Sequence, residues 1–207
     1  MDKYLLEVLN KKTSWDGISA ALKGINKKDP VIAGKLFEHI CRHYYRYFYD
    51  REFPQIWLFE DIPFNLRSQL GLSGGDYGVD LLIQTTDKKY VAVQCKFRDD
   101  ENAKISWTKD KLANLFAEGS QCDHFIIFTN AAGVDEHSIG KYKNKLTVAT
   151  YDILLDSFTK EHIQAICQLI KTGQAPKKSL FKPHPHQIKA ITAVAKGFKN
   201  NSRGQLI

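Results

Sequence analysis

The chain opens with apolar residues at helical spacing. Tyr4, Leu5, Val8 and Leu9 come first, and Ile18, Leu22 and Ile25 follow behind Ser14, a residue type that caps helix starts. This stretch carries no evident chemistry and reads as a helical preface, residues 1–28. Asp29-Pro30 opens the next helix, with the acid at the cap and proline in the first turn. Ala33, Leu36, Phe37, Ile40, Cys41, Tyr44 and Phe48 then line one face, and Glu38 lies on its flank. From here the period shortens. Ile56 to Phe59 reads as a strand ended by Glu60-Asp61 and Pro63, and Asn65 to Gly71 as an irregular piece containing Arg67. Leu81 to Ile83 and Tyr90 to Cys95 are short apolar runs joined by the polar turn Thr85 to Lys89, which predicts a hairpin.

Past the hairpin, Arg98 to Lys104 is a charged, mobile-looking connection, and Ser106 is placed to cap a helix carrying Trp107, Leu112, Leu115 and Phe116. Phe125 to Thr129 is a continuous apolar run, the mark of a strand covered on both faces. Asn130 to Gly133 turns the chain, His137 to Lys145 reads as a short basic helix, and Leu146 to Tyr151 as a last strand. Asp152 or Asp156 would start a final helix running through Ile163, Ile166, Leu169 and Ile170 to Gly173. The alternation predicts an α/β fold, a mixed central sheet flanked by helices, over residues 29–172. Residues 173–181 form a linker by composition, and 182–207 are a further piece with Ile188, Ile191, Val194 and Phe198 on one helical face.

Composition narrows the class. Apolar and aromatic content suffices for a buried core, which sets disorder aside. The net charge of +7 is compatible with a polyanionic partner such as nucleic acid, although it says nothing about which face carries it. Cys41, Cys95, Cys122 and Cys167 are far apart and form no CxxC, so they read as reduced thiols rather than a zinc site. Neither a signal peptide nor an apolar run of membrane-spanning length is visible, and the expectation is a cytoplasmic protein.

The chemistry concentrates at the hairpin. Asp80 stands at the mouth of its first strand, after a loop containing Gly74, Gly75 and Gly78. Asp76 in that loop reads first as a turn former. Gln94 and Lys96 close the second strand two apart, so they point the same way while Cys95 points the other. Because the end of the second strand lies beside the start of the first, Asp80, Gln94 and Lys96 come to one edge of the sheet. Oxygen ligands with a lysine alongside suit a divalent cation and an oriented water. Arg42, Arg46 and Arg51 among Tyr44, Tyr45, Tyr47 and Tyr49 fit a DNA-contacting mixture, but a helix whose tyrosines lie half in the core is the simpler reading.

Asp80, a strand, then Gln94-Cys95-Lys96 resembles the PD-(D/E)xK nuclease core in its Mrr-like form, where QxK replaces ExK. With Trp57 to Pro63 before it, and Phe97 and Ile105-Ser106 after it, the pattern resembles the N-terminal nuclease domain of restriction helicases, the single-chain type ISP enzymes in particular. The resemblance spans roughly Val31 to Tyr151. It implies a restriction-endonuclease-like fold and a Mg²⁺-dependent endonuclease acting on double-stranded DNA, with Mn²⁺ able to substitute. Asp80, the Gln94 side-chain oxygen and the Cys95 backbone carbonyl would be metal ligands, and Lys96 would orient water or stabilise phosphate charge. Glu38, in Gly34 to Glu38, resembles a family glutamate that reaches the metal from the preceding helix; otherwise it is a surface charge. Since QxK lacks one negative charge, Glu38 would matter more here than in ExK relatives. Arg67, Lys96, Arg98 and Lys104 are the candidate DNA contacts.

The segment from Lys182 to Val194 resembles the opening of superfamily 2 helicase domains, with Gln187 matching the adenine-recognising glutamine. The Walker A loop that should follow is absent, so ATP would belong only to the longer helicase. Downstream translocase domains, with or without a methyltransferase, are the implied partners. Two other readings stay open. One is a Holliday-junction-resolvase-like nuclease, a tight homodimer preferring branched DNA. The other is a catalytically dead DNA-binding module.

Overall fold

The computed structural model describes residues 1–72, 78–106, 112–135 and 139–176. Three helices come first: α1 (Asp2–Leu9), α2 (Trp15–Asn26) and α3 (Pro30–Phe48). Ser14 caps α2 by accepting from the Gly17 N–H, and Asp29 caps α3 by accepting from the Val31 and Ile32 N–H groups. There follow β1 (Gln55–Leu58), a 3₁₀ turn (Phe59–Asp61), α4 (Phe64–Gln69), β2 (Leu81–Gln84), β3 (Tyr90–Lys96) and β4 (Lys104–Ile105). The remainder is α5 (Leu112–Glu118), β5 (His124–Thr129), β6 (Gly133–Val134), a 3₁₀ turn (Gly140–Lys145), β7 (Leu146–Ala149), α6 (Tyr151–Ser157) and α7 (Lys160–Thr172).

Five strands form one mixed sheet in the order β1-β2-β3-β5-β7. The first three are antiparallel neighbours, and β5 and β7 run parallel to β3. Each face is covered. Leu81, Ile83, Val91, Val93, Ile126 and Phe128 pack under α1, α2, α3, α6 and α7, whereas Leu82, Ala92, Phe125 and Ile127 pack with α4 and α5. This is the mixed α/β architecture expected. A second small sheet pairs β4 with β6.

The helical preface packs against the rest of the chain, in one core with the sheet. Residues 1–175 form one compact unit, and 176–207 form another that lies, apart from Pro176, outside the described residues. Trp15 of α2 is fully buried, 6.2 Å from the Phe37 ring and 5.2 Å from the Phe158 ring. Trp15→Ala is expected to cost about 3–5 kcal/mol, since a cavity of that size between three elements cannot close. A shift of the denaturant midpoint with unchanged slope would register it; a cost near zero would mean that the preface is dispensable.

Several local expectations need correction. Asn65 to Gly71 is not irregular, because α4 occupies most of it. The final helix is two, α6 and α7, and Thr159 rather than an aspartate caps the second by accepting from the His162 N–H. Tyr151 starts α6 instead of ending a strand. The stretch from Arg98 to Lys104 is tied down: Glu101 bonds Ser19 and Lys23 at 2.7 and 2.9 Å, and Asn26 bonds Asp99 at 3.1 Å. Tyr44, Tyr45 and Tyr47 are buried, as the core reading of that helix requires. Trp107, Asp76, Gly74, Gly75, His137 and Gln187 lie outside the described residues. Among those described, no helix is long and apolar enough to cross a membrane.

Candidate active site

Asp80 sits where β2 begins. Its N–H donates to the Val93 carbonyl at 2.8 Å, although Val93 already has Leu81 as its ladder partner. Two residues of this strand therefore address one of β3, a bulge-like offset of the kind that re-aims a side chain. The Asp80 carboxylate is swung onto β3 and accepts from the Cys95 N–H at 2.5 Å. A strand residue presents its N–H and C=O to the same edge, so the Cys95 carbonyl also lies on the edge facing Asp80.

The alternation along β3 follows the expected pattern. Val91, Val93, Cys95 and Phe97 pack in the α3 core, which leaves Gln94 and Lys96 on the α5 face with Ala92. Gln94 is 1% exposed, and its Oε1 has no hydrogen-bond partner among the described residues. A buried amide oxygen left without a donor carries a desolvation penalty unless something electropositive meets it. A carboxylate, an amide oxygen and a backbone carbonyl near one strand end are hard oxygen donors, a set that fits Mg²⁺ or Mn²⁺. Half-buried Lys96 is the last residue of this strand.

Glu38 is 8% exposed, which rules out the surface-charge reading; Lys35 pairs with its carboxylate at 2.8 Å. Burial first pushes the thiols of Cys41 and Cys95 above the usual range; Cys41 comes next for Cys95, and the Asp80 and Glu38 carboxylates add smaller upward pushes to both. Glu38 on α3 and Asp80 at the start of β2 are thus both near enough to bear on these thiols.

The other candidates scatter. Arg67 is engaged structurally, donating to the carbonyls of Ile62 and Glu60 at 3.0 and 2.8 Å and lying over the Phe59 ring. Half-buried Arg98 donates to the Phe97 carbonyl, and Lys104 is exposed on β4.

Gly78 stands two residues before Asp80. Its φ of +133° favours glycine, and an added Cβ would lie 2.8 Å from the Asn114 Cβ and 2.9 Å from the backbone of Asn114 and Leu115. The main chain at Gly78 therefore rests directly on α5.

Sequence reasoning missed a second polar cluster. Asp2 accepts from His39 at 2.8 Å, from His43 at 3.2 Å and from Arg42 through both carboxylate oxygens at 3.2 Å. The ligand types would suit a metal. However, each imidazole must keep its proton to donate to the carboxylate, and the Arg42 guanidinium already neutralises Asp2, so the cluster reads as a strut joining α1 to α3. The helical spacing of the two histidines was its signal, but the partner stands far away in the chain.

Burial holds the His43 imidazole down at about 4 from 6.5, and burial likewise lowers His39. Burial pushes Asp2 up, but the His39 and His43 hydrogen bonds and the Arg42 charge outweigh it and hold Asp2 at about 2. Unfolded His43 binds its proton at higher pH than folded His43, so stability is full above 6.5 and falls as the pH drops toward 4. The slope is at most about 1.4 kcal/mol per pH unit for this group. Urea midpoints measured across that window should fall with acid, and His43→Gln should flatten the profile.

A family model described as a restriction endonuclease, of the Mrr catalytic type, matches residues 47–168, more than half of the chain. The chain belongs to this restriction endonuclease family. The matched span contains Asp80, Gln94 and Lys96 but not Glu38. The ATP-dependent type ISP restriction-modification enzyme LlaBIII, solved bound to DNA, shares its fold at 21% identity, with a TM-score of 0.59 over 95% of this chain. The DNA modification-dependent restriction endonuclease AspBHI is 14% identical over 84% of this chain, with a TM-score of 0.47. The chain spans 12% of the first of these proteins and 40% of the second. No curated protein matches it.

Proposed function

We propose that this endonuclease domain hydrolyses phosphodiester bonds in double-stranded DNA at a divalent-metal site built from Asp80, Gln94 and the Cys95 carbonyl. The observation that carries this reading is the orphaned Gln94 Oε1 on the strand whose next N–H fixes the Asp80 carboxylate. A bound Mg²⁺ would supply Lewis-acid polarisation of the scissile phosphate and a water of lowered pKa. Lys96 orients that water or meets the charge growing on the phosphate oxygens. Glu38 adds negative charge from α3, offsetting the charge lost by glutamine in QxK. Exposed Lys104 and half-buried Arg98 follow the catalytic strand, in place to meet backbone phosphates.

The domain is, in this reading, the nuclease part of a longer ATP-dependent restriction translocase. Its support is the fold shared with a type ISP enzyme several times its length, and the helicase-like segment around Gln187. Supercoiled-plasmid nicking tests the nuclease reading. Nicking with Mg²⁺ or Mn²⁺ that EDTA abolishes is expected; nicking that survives EDTA, or none from the domain in its full chain with ATP, would contradict it.

A further inference from the structure

We propose that Thr129 and Asn130 are positioning residues that set the backbone of Lys96 for the nuclease reaction, an inference that rests on the reading above. The catalytic end of β3 is poorly supported. Its ladder with β2 ends at the Leu81↔Val93 pair, so among the described residues Cys95 and Lys96 have strand support only from β5. The ladder with β5 itself ends at Lys96↔Thr129. At that last rung, two wholly buried polar side chains continue the pairing. Thr129 Oγ1 donates to the Lys96 carbonyl at 2.6 Å and accepts from the Ala131 N–H at 3.1 Å. The Asn130 amide accepts from the Arg98 N–H and donates to the Arg98 carbonyl, both at 2.6 Å.

A planar side-chain amide that satisfies both backbone groups of one residue acts as a rung past the end of the ladder. An apolar residue at the end of β5 would extend the core just as well, and burying a hydroxyl and an amide is costly unless they bond. Their bonds converge on Lys96 and Arg98, either side of Phe97, which fixes the direction in which the chain leaves the site. Neither side chain touches the reacting atoms. Their effect passes through the Lys96 main chain to the ammonium, whose placement a shift of a fraction of an ångström would spoil.

Thr129→Val keeps shape and removes the hydroxyl. We expect kcat for DNA cleavage to fall by about 10–100-fold, the scale of loss for a small misplacement of a catalytic group. KM for DNA and the Mg²⁺ dependence should hold, and Thr129→Ser should recover most of the rate. Asn130→Asp keeps the acceptor for the Arg98 N–H and loses the donor, so an intermediate loss is expected. Circular dichroism of each variant separates misfolding from misplacement. Wild-type kcat in Thr129→Val, equal losses in the valine and serine variants, or a loss confined to KM would each overturn the proposal while leaving the nuclease reading intact. Absence of wild-type cleavage by the domain in its full chain with ATP would overturn both.

Discussion

Asp80→Asn and Lys96→Ala should each lower DNA cleavage by on the order of 10³-fold or more, while leaving the fold standing. Asparagine still offers an oxygen to the Cys95 N–H, so the strand contact that locates residue 80 survives. What disappears is the carboxylate on the edge beside Gln94 and the Cys95 carbonyl, and with it the charge that would hold a divalent ion. Asp80 is buried, and a buried carboxylate carries a desolvation cost that asparagine lowers. Removing one charge should leave the melting temperature unchanged or raised, the usual trade between a functional site and stability. Lys96 offers a parallel case. Its carbonyl is held by Thr129 and its rung by β5, so truncating the side chain removes the ammonium without freeing the main chain. DNA binding measured with Ca²⁺ should persist in both variants. A melting point that fell steeply with activity would mark these residues as structural instead.

Gly78→Ala should be nearly as damaging, by a different route. A Cβ there would fall within 2.9 Å of the main chain of Asn114 and Leu115, atoms that cannot swing away as a side chain can. The positive φ adds strain of its own, so a loss of roughly 3 kcal/mol or more is expected. For a domain of this size that is a fall of about 6–12 °C in melting temperature. Since Gly78 lies two residues before Asp80, cleavage should be lost well below the new melting point, because a shift of the main chain at residue 78 carries the Asp80 carboxylate with it. An alanine variant with wild-type melting and cleavage would show that Gly78 does not rest on α5.

Much of this site is legible in the chain's own residue pattern. Strand alternation alone sets Gln94 and Lys96 on one face and Cys95 on the other, and hairpin geometry brings Asp80 to them. The pattern does not disclose the bulge that hands the Asp80 carboxylate to the Cys95 N–H, since the offset depends on how β2 meets β3 in register. The burial of Glu38 is also hidden, because helical spacing marks a flank without saying what packs on it. Helix α4 has no pattern to announce it, as only Leu66 of its six residues is buried. That the N-terminal helices pack on the domain is legible, but the partners of Trp15, Phe37 and Phe158, meet it only in the folded chain. Thr129 and Asn130 do leave a signal, two polar residues closing an apolar strand, but their target on the neighbouring strand comes from the parallel register of β3 and β5.

The most direct measurement is a plasmid-nicking assay with Mg²⁺ or Mn²⁺ that compares the wild-type chain with Asp80→Asn and Lys96→Ala at matched folding. Metal-dependent nicking by the wild type, abolished in both variants, is the result expected of a site built on that strand edge. Nicking that persists undiminished in either variant would contradict it.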